Sequence, residues 1–450
     1  MEKFSDKEFA SLIEGVCPFE KEPIIAVAVS GGADSLALTL LLDNWARSQK
    51  GRVIALTVDH RFRKSSKKEA IKVGKWLEKY DIEHHVLVNE KPKPKSNLQD
   101  EARALRYEMM TSWCKENDIL HLAVAHHLDD QAETFLIRLG RGSGVDGLSS
   151  MAKVSVKNEV TIIRPLLQVP TLALKKYLKD KKQKWIEDPT NKKDDYTRNK
   201  IRKLLLKMSD KELMTGRLAE TAKNMARARA ALEQQTAREM VKCLELNDAG
   251  FCSLNVENFK EITEEIALRI LSSTLSSIGG NAYRPRFEKL FALYSAILEK
   301  NNFKGRTLWG CKIFASKDKK QIIICREESK LAKDRLISKN KEIHWDERFV
   351  LSLTNGAQPT DYKGKFLVGA LGQKGWLNIK KSLKKGSKID YPKEVLYSLP
   401  CLKQISSVGI EKIISVPHIN FNATGSSKTV LKYRLCLAKP LAGLPFGCYA

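Results

Sequence analysis

One short turn of this chain has the residue types that bind phosphate: Ser30-Gly31-Gly32-Ala33-Asp34-Ser35. An apolar run, Ile24 to Val29, precedes it and an apolar-periodic segment begins at Leu36, which predicts a buried strand, a tight turn and a helix. Glycines let the backbone approach a ligand, and serines with the first helical amides direct donors at an anion. The glycine spacing is not that of a Walker A loop. Asp34 adds a carboxylate that suits Mg²⁺ bridging to phosphates.

The densest group of polar residues is 125–134, which is predicted to run from a strand end into the first turn of a helix. Asp130 and Glu133 are three residues apart, so they share one helical face and can together bind an ammonium group or a metal ion. The same acids could instead cap the helix and interact with its dipole. Two histidines directly before them, His126 and His127, favour a functional site.

Two further groups place cations near the same predicted strand ends. The stretch Val58 to Arg63 follows the second predicted strand and contains Asp59 and His60. A predicted helix carries Arg103 and Arg106 on one face. Arginine suits phosphate oxygens because its planar guanidinium donates two hydrogen bonds at once. Taken alone, these groups would be a solvated loop and an ordinary charged helix face.

A glycine-rich stretch, residues 140–147, formally matches the pattern Gly-x-Gly-x-x-Gly. It follows a predicted helix rather than a strand, so it lacks the context of a dinucleotide site. The functional interpretation is a flexible substrate loop in which Arg138 and Arg141 contact phosphates.

The pattern of elements predicts an α/β fold with a doubly wound parallel sheet over residues 1–205. Predicted strands at 24–29, 53–58, 85–88 and 120–125 alternate with predicted helices, and ligands bind at the carboxyl ends of such strands. Those ends carry the turn at residues 30–35, which we call the glycine-serine turn, together with Asp59-His60 and His126-His127. The sequence therefore predicts that three polar loops line one crevice at the carboxyl ends of the strands.

The chain of 450 residues is longer than one core usually supports. Residues 206–330 are predicted to form a helical domain that ends in a hairpin between Thr307 and Cys325. A charged linker follows, and residues 342–450 have the short strand-like runs of a small α+β domain.

The charge balance favours a nucleic acid as partner. The chain has 79 Lys+Arg against 53 Asp+Glu, a formal net charge of +26. No apolar segment is long enough to span a bilayer and the N-terminus lacks the blocks of a signal peptide, so we expect a cytoplasmic protein with no membrane partner. Nine cysteines without a Cys-x-x-Cys pair indicate reduced, buried thiols.

In order and spacing the motifs resemble those of the tRNA(Ile)-lysidine synthases, which have a Rossmann-like PP-loop ATP pyrophosphatase domain. The resemblance is strong over the first 205 residues, and looser beyond them. Where that family has Gly-Leu in its second motif, this chain has Arg61-Phe62, which leaves the role of Arg63 open. The matching motifs are Ser-Gly-Gly-Ala-Asp-Ser (30–35), Val-Asp-His-Arg-Phe-Arg (58–63), Ala-Arg-Ala-Leu-Arg-Tyr (102–107), His-His-Leu-Asp-Asp-Gln-Ala-Glu-Thr (126–134), Arg-Gly-Ser-Gly (141–144), Arg-Pro-Leu-Leu (164–167) and Arg-Asn-Lys-Ile-Arg (198–202).

The resemblance implies a two-step reaction on the wobble cytidine of a tRNA(Ile) with a CAU anticodon. ATP, as co-substrate with Mg²⁺, adenylates the C2 oxygen and releases pyrophosphate, and the side-chain amine of L-lysine then displaces AMP.

The same resemblance implies a role for each residue that matches a motif. It assigns catalysis to Asp34, Asp130, Glu133 and His127, with Mg²⁺ on Asp34 and lysine on Asp130 and Glu133. It assigns ATP to Ser30, Gly31, Gly32, Ala33, Asp34, Ser35, His60, Arg103 and Arg106, and tRNA to Arg138, Arg141, Arg198, Asn199 and Arg202.

Three other interpretations stay open. A tRNA thiolase of the same fold would need cysteines at the strand ends, but Cys17 and Cys114 lie elsewhere in the predicted nucleotide domain. A non-enzymatic RNA-binding protein would leave the acid and histidine cluster unused. A metal-dependent phosphohydrolase would use Asp59, His60, His126, His127 and Asp130.

The sequence does not identify the general base, and a homodimer remains open.

Overall fold

The computed structural model divides the chain into two compact units. The first is Met1–Ala231 with Pro445–Ala450, and the second is Leu232–Leu444. This division near residue 231 does not test the predicted domain boundaries at 205, 330 and 342, so those boundaries stay predictions. The structure describes residues 4–61, 66–89, 98–187, 197–206, 210–281, 285–299, 303–338, 341–353, 365–383, 389–405, 411–423 and 430–443.

The first unit alternates strands with helices. Its strands are β1 (Ile24–Ala28), β2 (Arg52–Asp59), β3 (Glu83–Val88), β4 (His121–Ala123), β5 (Val154–Lys157) and β6 (Val160–Ile163). Its helices are α1 (Asp6–Glu14), α2 (Ala33–Ser48), α3 (Ser66–Glu78), α4 (Leu98–Glu116), α5 (Leu128–Leu139), α6 (Val145–Leu148), α7 (Thr171–Asp180) and α8 (Thr197–Leu206), and α9 (Lys211–Cys243) begins in it.

These strands form one sheet in the order β3-β2-β1-β4-β6-β5. All neighbours are parallel except β5, which pairs antiparallel with β6 through a hairpin turn. Asn158 and Glu159 in that turn both have positive φ, as a two-residue hairpin requires. The predicted doubly wound parallel sheet is therefore confirmed, with one antiparallel strand at its edge.

Both faces of the sheet are covered, because alternate residues of its strands point to opposite sides. Ile25 and Val27 of β1 belong to a core that includes buried residues of α2 and α7. Ala26 belongs to a second core with Met110 and Cys114 of α4. Since the strand order reverses between β1 and β4, the crevice at their carboxyl ends is the expected ligand site.

The second unit has three antiparallel sheets, in the orders β7-β8-β11-β10-β9, β12-β15-β16-β17-β18 and β13-β14-β19. Its strands are β7 (Leu244–Asn247), β8 (Phe251–Asn255), β9 (Arg306–Leu308), β10 (Cys311–Ala315), β11 (Gln321–Arg326), β12 (Arg335–Leu336), β13 (Ile343–Trp345), β14 (Phe349–Leu353), β15 (Lys365–Ala370), β16 (Pro400–Ile405), β17 (Glu411–Val416), β18 (Phe421–Asn422) and β19 (Leu431–Leu435). Its helices are α10 (Val256–Lys260), α11 (Glu264–Gly279), α12 (Phe287–Leu298), α13 (Gly372–Lys380) and α14 (Lys393–Tyr397), with 3₁₀ turns at Glu328–Lys330 and Pro417–Ile419.

The predicted hairpin in this unit is confirmed, since β10 and β11 pair antiparallel. The predicted helical segment before it also contains two strands that were not predicted, β7 and β8, which pair with each other, and β8 pairs with β11 as well. Both strands are short and part polar, and β11 lies far along the chain, so local periodicity does not reveal them. Among the helices that the structure describes, none combines the length and apolar character needed to cross a membrane.

A buried ion pair joins three segments of the second unit. The side chains of Asp346 and Arg348 are fully buried, and Arg348 Nε and Nη2 lie 2.8 and 2.7 Å from Asp346 Oδ2. The same guanidinium donates to the carbonyls of Gly250 and Ser398 at 2.9 and 3.2 Å. Each of the three guanidinium nitrogens therefore donates to at least one acceptor.

We expect Arg348→Met to destabilise the second unit by about 3 kcal/mol, because the buried Asp346 carboxylate then keeps only the more distant Arg326, 3.3 Å away, as a cation among the described residues. Urea unfolding measures the effect. Arg434→Met is the matched control: its guanidinium is 68% exposed and 3.8 Å from Glu342, so the loss is below about 1 kcal/mol. Equal losses in both variants would contradict this account.

Candidate active site

The glycine-serine turn leaves β1 and enters α2. Gly31 has φ +82°, and a Cβ there would lie 2.8 Å from side-chain atoms of both Val73 and Ile186, so only glycine fits. Ser35 Oγ donates to the carbonyl of Gly32 and accepts from the amide of Ser30. The N-cap of α2, Gly32, supplies no side-chain hydrogen bond. The first amides of α2 therefore have no side-chain cap and can bind an anion.

A cavity of about 470 Å³ opens beside this turn, a size that suits a small-molecule ligand. The ends of β1, β2 and β4 and one face of α4 line it. Asp34 and six of the other predicted ATP-binding residues line this cavity. These six are Ser30, Gly32, Ser35, His60, Arg103 and Arg106. Gly31 and Ala33 belong to the same turn but are not among the lining residues.

The cavity wall on α4 is cationic. Arg106 lines the cavity although much of its side chain is exposed, and its pKa is lowered by desolvation of the guanidinium and by the neighbouring Arg103. No carboxylate of the described residues forms an ion pair with either arginine. Burial also lowers the pKa of His60, with Arg106 adding to the effect, so this imidazole is neutral. Two guanidiniums that pair with no carboxylate of the described residues provide a site for an anionic ligand beside this cavity.

On the opposite side of the turn, His127 connects Asp34 to α5. Its Nε2 lies 3.7 Å from Asp34 Oδ2 and 3.4 Å from Asp130 Oδ2, and its Nδ1 lies 3.6 Å from Asp129 Oδ2. Burial opposes a charge on the ring, but the three carboxylates outweigh it and raise the pKa of His127. Burial likewise acts to raise the pKa of Asp130, yet His127 and Arg198 lower it overall. The side chain of His127 thus links the carboxylates of Asp34, Asp129 and Asp130.

Asp34 is the described residue that best fits a divalent cation. Its Oδ1 is buried with no hydrogen-bond partner among the described residues, and burial is the main cause of its raised pKa. Mg²⁺ commonly takes one or two protein carboxylates and completes its shell with phosphate and water oxygens. The described part of the chain contains no group of three or more His, Cys, Asp or Glu side chains that could hold a metal, so the phosphohydrolase interpretation lacks a site there.

Asp130 and Glu133 are already paired with two arginines of α8. Arg198 donates from Nη2 to Asp130 Oδ1 at 2.7 Å and from Nε to Glu133 Oε2 at 2.8 Å. Arg202 donates from Nε to Glu133 Oε1 at 2.7 Å. Glu133 is only 1% exposed, so its carboxylate depends on these cations. The structure therefore joins residues that the sequence interpretation had divided between lysine and tRNA.

The other predicted tRNA contacts differ in accessibility. Arg141 is exposed. Arg138 donates from Nη1 to the carbonyls of Gly147 and Ser150 at 2.7 and 2.8 Å, so it holds the glycine-rich loop in place. The side chain of Asn199 lies outside the described residues.

His126 is a site residue that the sequence interpretation did not assign to a ligand. It lines the cavity, and Arg103 Nη2 lies 3.3 Å from its Nε2. Burial, together with Arg103, Arg164 and Arg198, lowers its pKa to about 3 despite the opposing charge of Asp130, so the ring is neutral. The sequence feature that could have identified His126 as a site residue is its position after β4, directly before His127. Thr57 and Glu69 also line the cavity, and no motif indicated either.

Comparisons with known proteins find relatives that match most of this chain. Residues 1–209 match the family model described as a PP-loop domain. The tRNA(Ile)-lysidine synthase of Wolbachia pipientis wMel is 38% identical over 413 residues, which is 90% of each chain. The enzyme of the same name from Orientia tsutsugamushi is 33% identical over 433 residues, 94% of each chain. These relatives extend the likeness well beyond the first unit.

Among solved structures, the U34-tRNA thiolase of Methanococcus maripaludis is similar with a TM-score of 0.42 and 20% identity. The match covers 49% of this chain and 78% of that one. A likeness of this degree carries no argument about function.

We expect His126→Gln to flatten the dependence of stability on pH between 6.5 and 4.5. The unfolded chain protonates this histidine near pH 6.5, whereas the folded one does so only near 3, so acidification favours unfolding. The wild type should lose up to about 1.4 kcal/mol per pH unit more than the variant. Urea unfolding across this range measures both slopes, with His85→Gln, 41% exposed, as control. Identical slopes for His126→Gln and the wild type would contradict the buried, neutral ring.

Proposed function

The chain belongs to the tRNA(Ile)-lysidine synthase family and is an ATP-using enzyme, and from this premise we propose that it joins L-lysine to C2 of the wobble cytidine of a tRNA(Ile) with a CAU anticodon. The products are lysidine in the tRNA, AMP and pyrophosphate. A cytoplasmic location agrees with its need for tRNA and ATP.

One observation carries the proposal: an anion-binding turn and an acid cluster lie at the ends of neighbouring parallel strands. The turn follows β1 and the acids follow β4, which pair directly. His127 bridges the two groups through Asp34 and Asp130. A triphosphate and an amine, which are oppositely charged, can therefore be held side by side.

In the first step the turn and the cations of α4 bind ATP. The amides at the start of α2, with Ser30 and Ser35, hold phosphate oxygens, and Arg103 and Arg106 offset their charge. Asp34 would hold Mg²⁺, which when bound neutralises charge on the departing pyrophosphate. His60 and His126 are neutral and so add no charge to this wall. The cytidine must leave its stack for its C2 oxygen to be reached.

In the second step Asp130 and Glu133 bind the ammonium group of lysine. Because guanidiniums already pair with both carboxylates, the ammonium must take the place of one of them. Arg198 is 38% exposed and makes one bond to each acid, so it can turn outward to an RNA phosphate. Arg202 remains on Glu133. His127 contacts both Asp34 and Asp130 and so positions the two carboxylates relative to each other.

The glycine-rich loop beside α5 is held from two sides. Arg138 binds it from α5, and Arg229 of α9 donates from Nη1 to Asp146 O and Ser149 Oγ, both at 3.3 Å. Gln131, between the two site acids, makes two hydrogen bonds to the backbone of Met151. We assign this loop, with Arg141 exposed on it, to the anticodon of the tRNA.

The thiolase alternative finds no support in the cavity. No cysteine of the described residues lines it, and burial raises the pKa of Cys17 to about 11 and that of Cys114 to about 12. Such thiols are poor nucleophiles at neutral pH.

The function is tested with purified protein, ATP, labelled lysine and transcripts of tRNA(Ile). The proposal predicts AMP release that depends on lysine and label that enters the RNA. Transfer of sulfur instead of lysine, or hydrolysis of ATP without any change in the RNA, would overturn it.

We expect Asp34→Ala to abolish pyrophosphate release while tRNA affinity stays nearly unchanged, since Asp34 serves the phosphates and not the RNA backbone. Pyrophosphate release and filter binding of tRNA measure the two effects. Glu78→Ala, an exposed acid on α3, is the control and should be fully active. Normal pyrophosphate release by Asp34→Ala would remove this residue from the metal role.

Glu133→Gln should raise the KM for lysine far more than the KM for ATP, because the neutral amide no longer attracts an ammonium ion. Steady-state kinetics with each substrate varied in turn measure the ratio. Glu220→Gln, 61% exposed on α9, is the matched control. Equal increases in both KM values would count against the lysine assignment and indicate that the change acts through α8.

A further inference from the structure

We propose that Phe287, Phe291 and Tyr294 of α12 form a stacking surface for an unstacked base of the tRNA. We name it the α12 aromatic surface. The inference rests on the proposed function only in taking tRNA as the substrate. No catalytic role is implied, and the surface lies wholly in the second unit.

Helix α12 is apolar on more than the face that packs on its core. Leu290, Leu293 and Ile297 point into the core of the second unit and are nearly fully buried. Phe287 and Phe291 lie on another face and are 61% and 38% exposed. A helix that only packs on its own core needs one apolar stripe, so the second stripe needs a different explanation.

The three aromatic rings of α12 lie next to one another in a series. Phe287 and Phe291 are stacked at 25°, with centroids 5.8 Å apart, and Tyr294 follows Phe291 at 6.1 Å. The three rings form a series that begins against the core at Tyr294 and ends in solvent at Phe287. A planar base can extend this series, as aromatic side chains of RNA-binding proteins do with unstacked bases.

Two arginines lie near the rings of α12. Arg286, the N-cap of α12, is exposed and directly precedes Phe287. Arg306 lies over the ring of Phe303 and donates to the carbonyl of Ala292 on α12. Guanidiniums beside exposed rings fit a phosphate backbone with a splayed base better than the apolar face of a protein.

The test uses the full chain with three substitutions of Phe287. Phe287→Ala removes the ring, Phe287→Leu keeps apolar area without a π face, and Phe287→Trp keeps the π face. We expect tRNA to bind roughly 5- to 100-fold more weakly to the Ala and Leu variants and with near wild-type affinity to Trp. Filter binding and the KM for tRNA measure this. Leu377→Ala, an exposed apolar residue of α13 at 55%, should bind as the wild type does.

Two outcomes would overturn the inference. If the Leu variant binds tRNA as tightly as the wild type, the ring does not stack on a base. If sedimentation shows a wild-type dimer that Phe287→Ala converts to a monomer, the surface joins two copies of the chain. Failure of the proposed function is distinguishable, because then the wild type itself adds no lysine to tRNA, whereas here only the Phe287 comparison fails.

Discussion

The side chain of His127 is the contact on which the rest of the site depends. It lies between Asp34, after β1, and Asp129 and Asp130 in the first turn of α5, after β4. These carboxylates raise the pKa of His127 against the effect of burial, so the ring takes up a proton more easily here than in water. The parallel pairing of β1 with β4 brings these groups to one edge, so the sheet sets the distance that His127 then spans.

Charge is divided across this edge in the way that two unlike substrates require. The cavity beside the turn has Arg103 and Arg106 without described carboxylate partners, and this side suits phosphates. The α5 side has Asp130 and Glu133, which Arg198 and Arg202 neutralise. The cavity side therefore carries the charge opposite to that of its proposed substrate. On the α5 side the arginines keep the acids paired when lysine is absent, and an acid becomes available to the ammonium only when a guanidinium moves away.

The sequence predicted the elements that local patterns define, and missed the relations that only packing creates. The strand, turn and helix around Ser30–Ser35 follow from an apolar run and two glycines, and β1 and α2 appear within a few residues of their predicted positions. The β7–β8 pair was missed because both strands are short and part polar, and because β11, the second partner of β8, lies far along the chain. The pairing of Arg198 with Asp130 could not be read from motifs, because both residues look like ligand contacts until α8 is seen against α5.

A crystal structure of the full chain with L-lysine and a non-hydrolysable ATP analogue tests the central claim most directly. The account predicts phosphate oxygens within hydrogen-bond distance of the amides at residues 31–35 and the lysine ammonium within hydrogen-bond distance of Asp130, with Arg198 displaced from that carboxylate. The two ligands bound in separate cavities, or lysine bound with both arginines still in place, would contradict it.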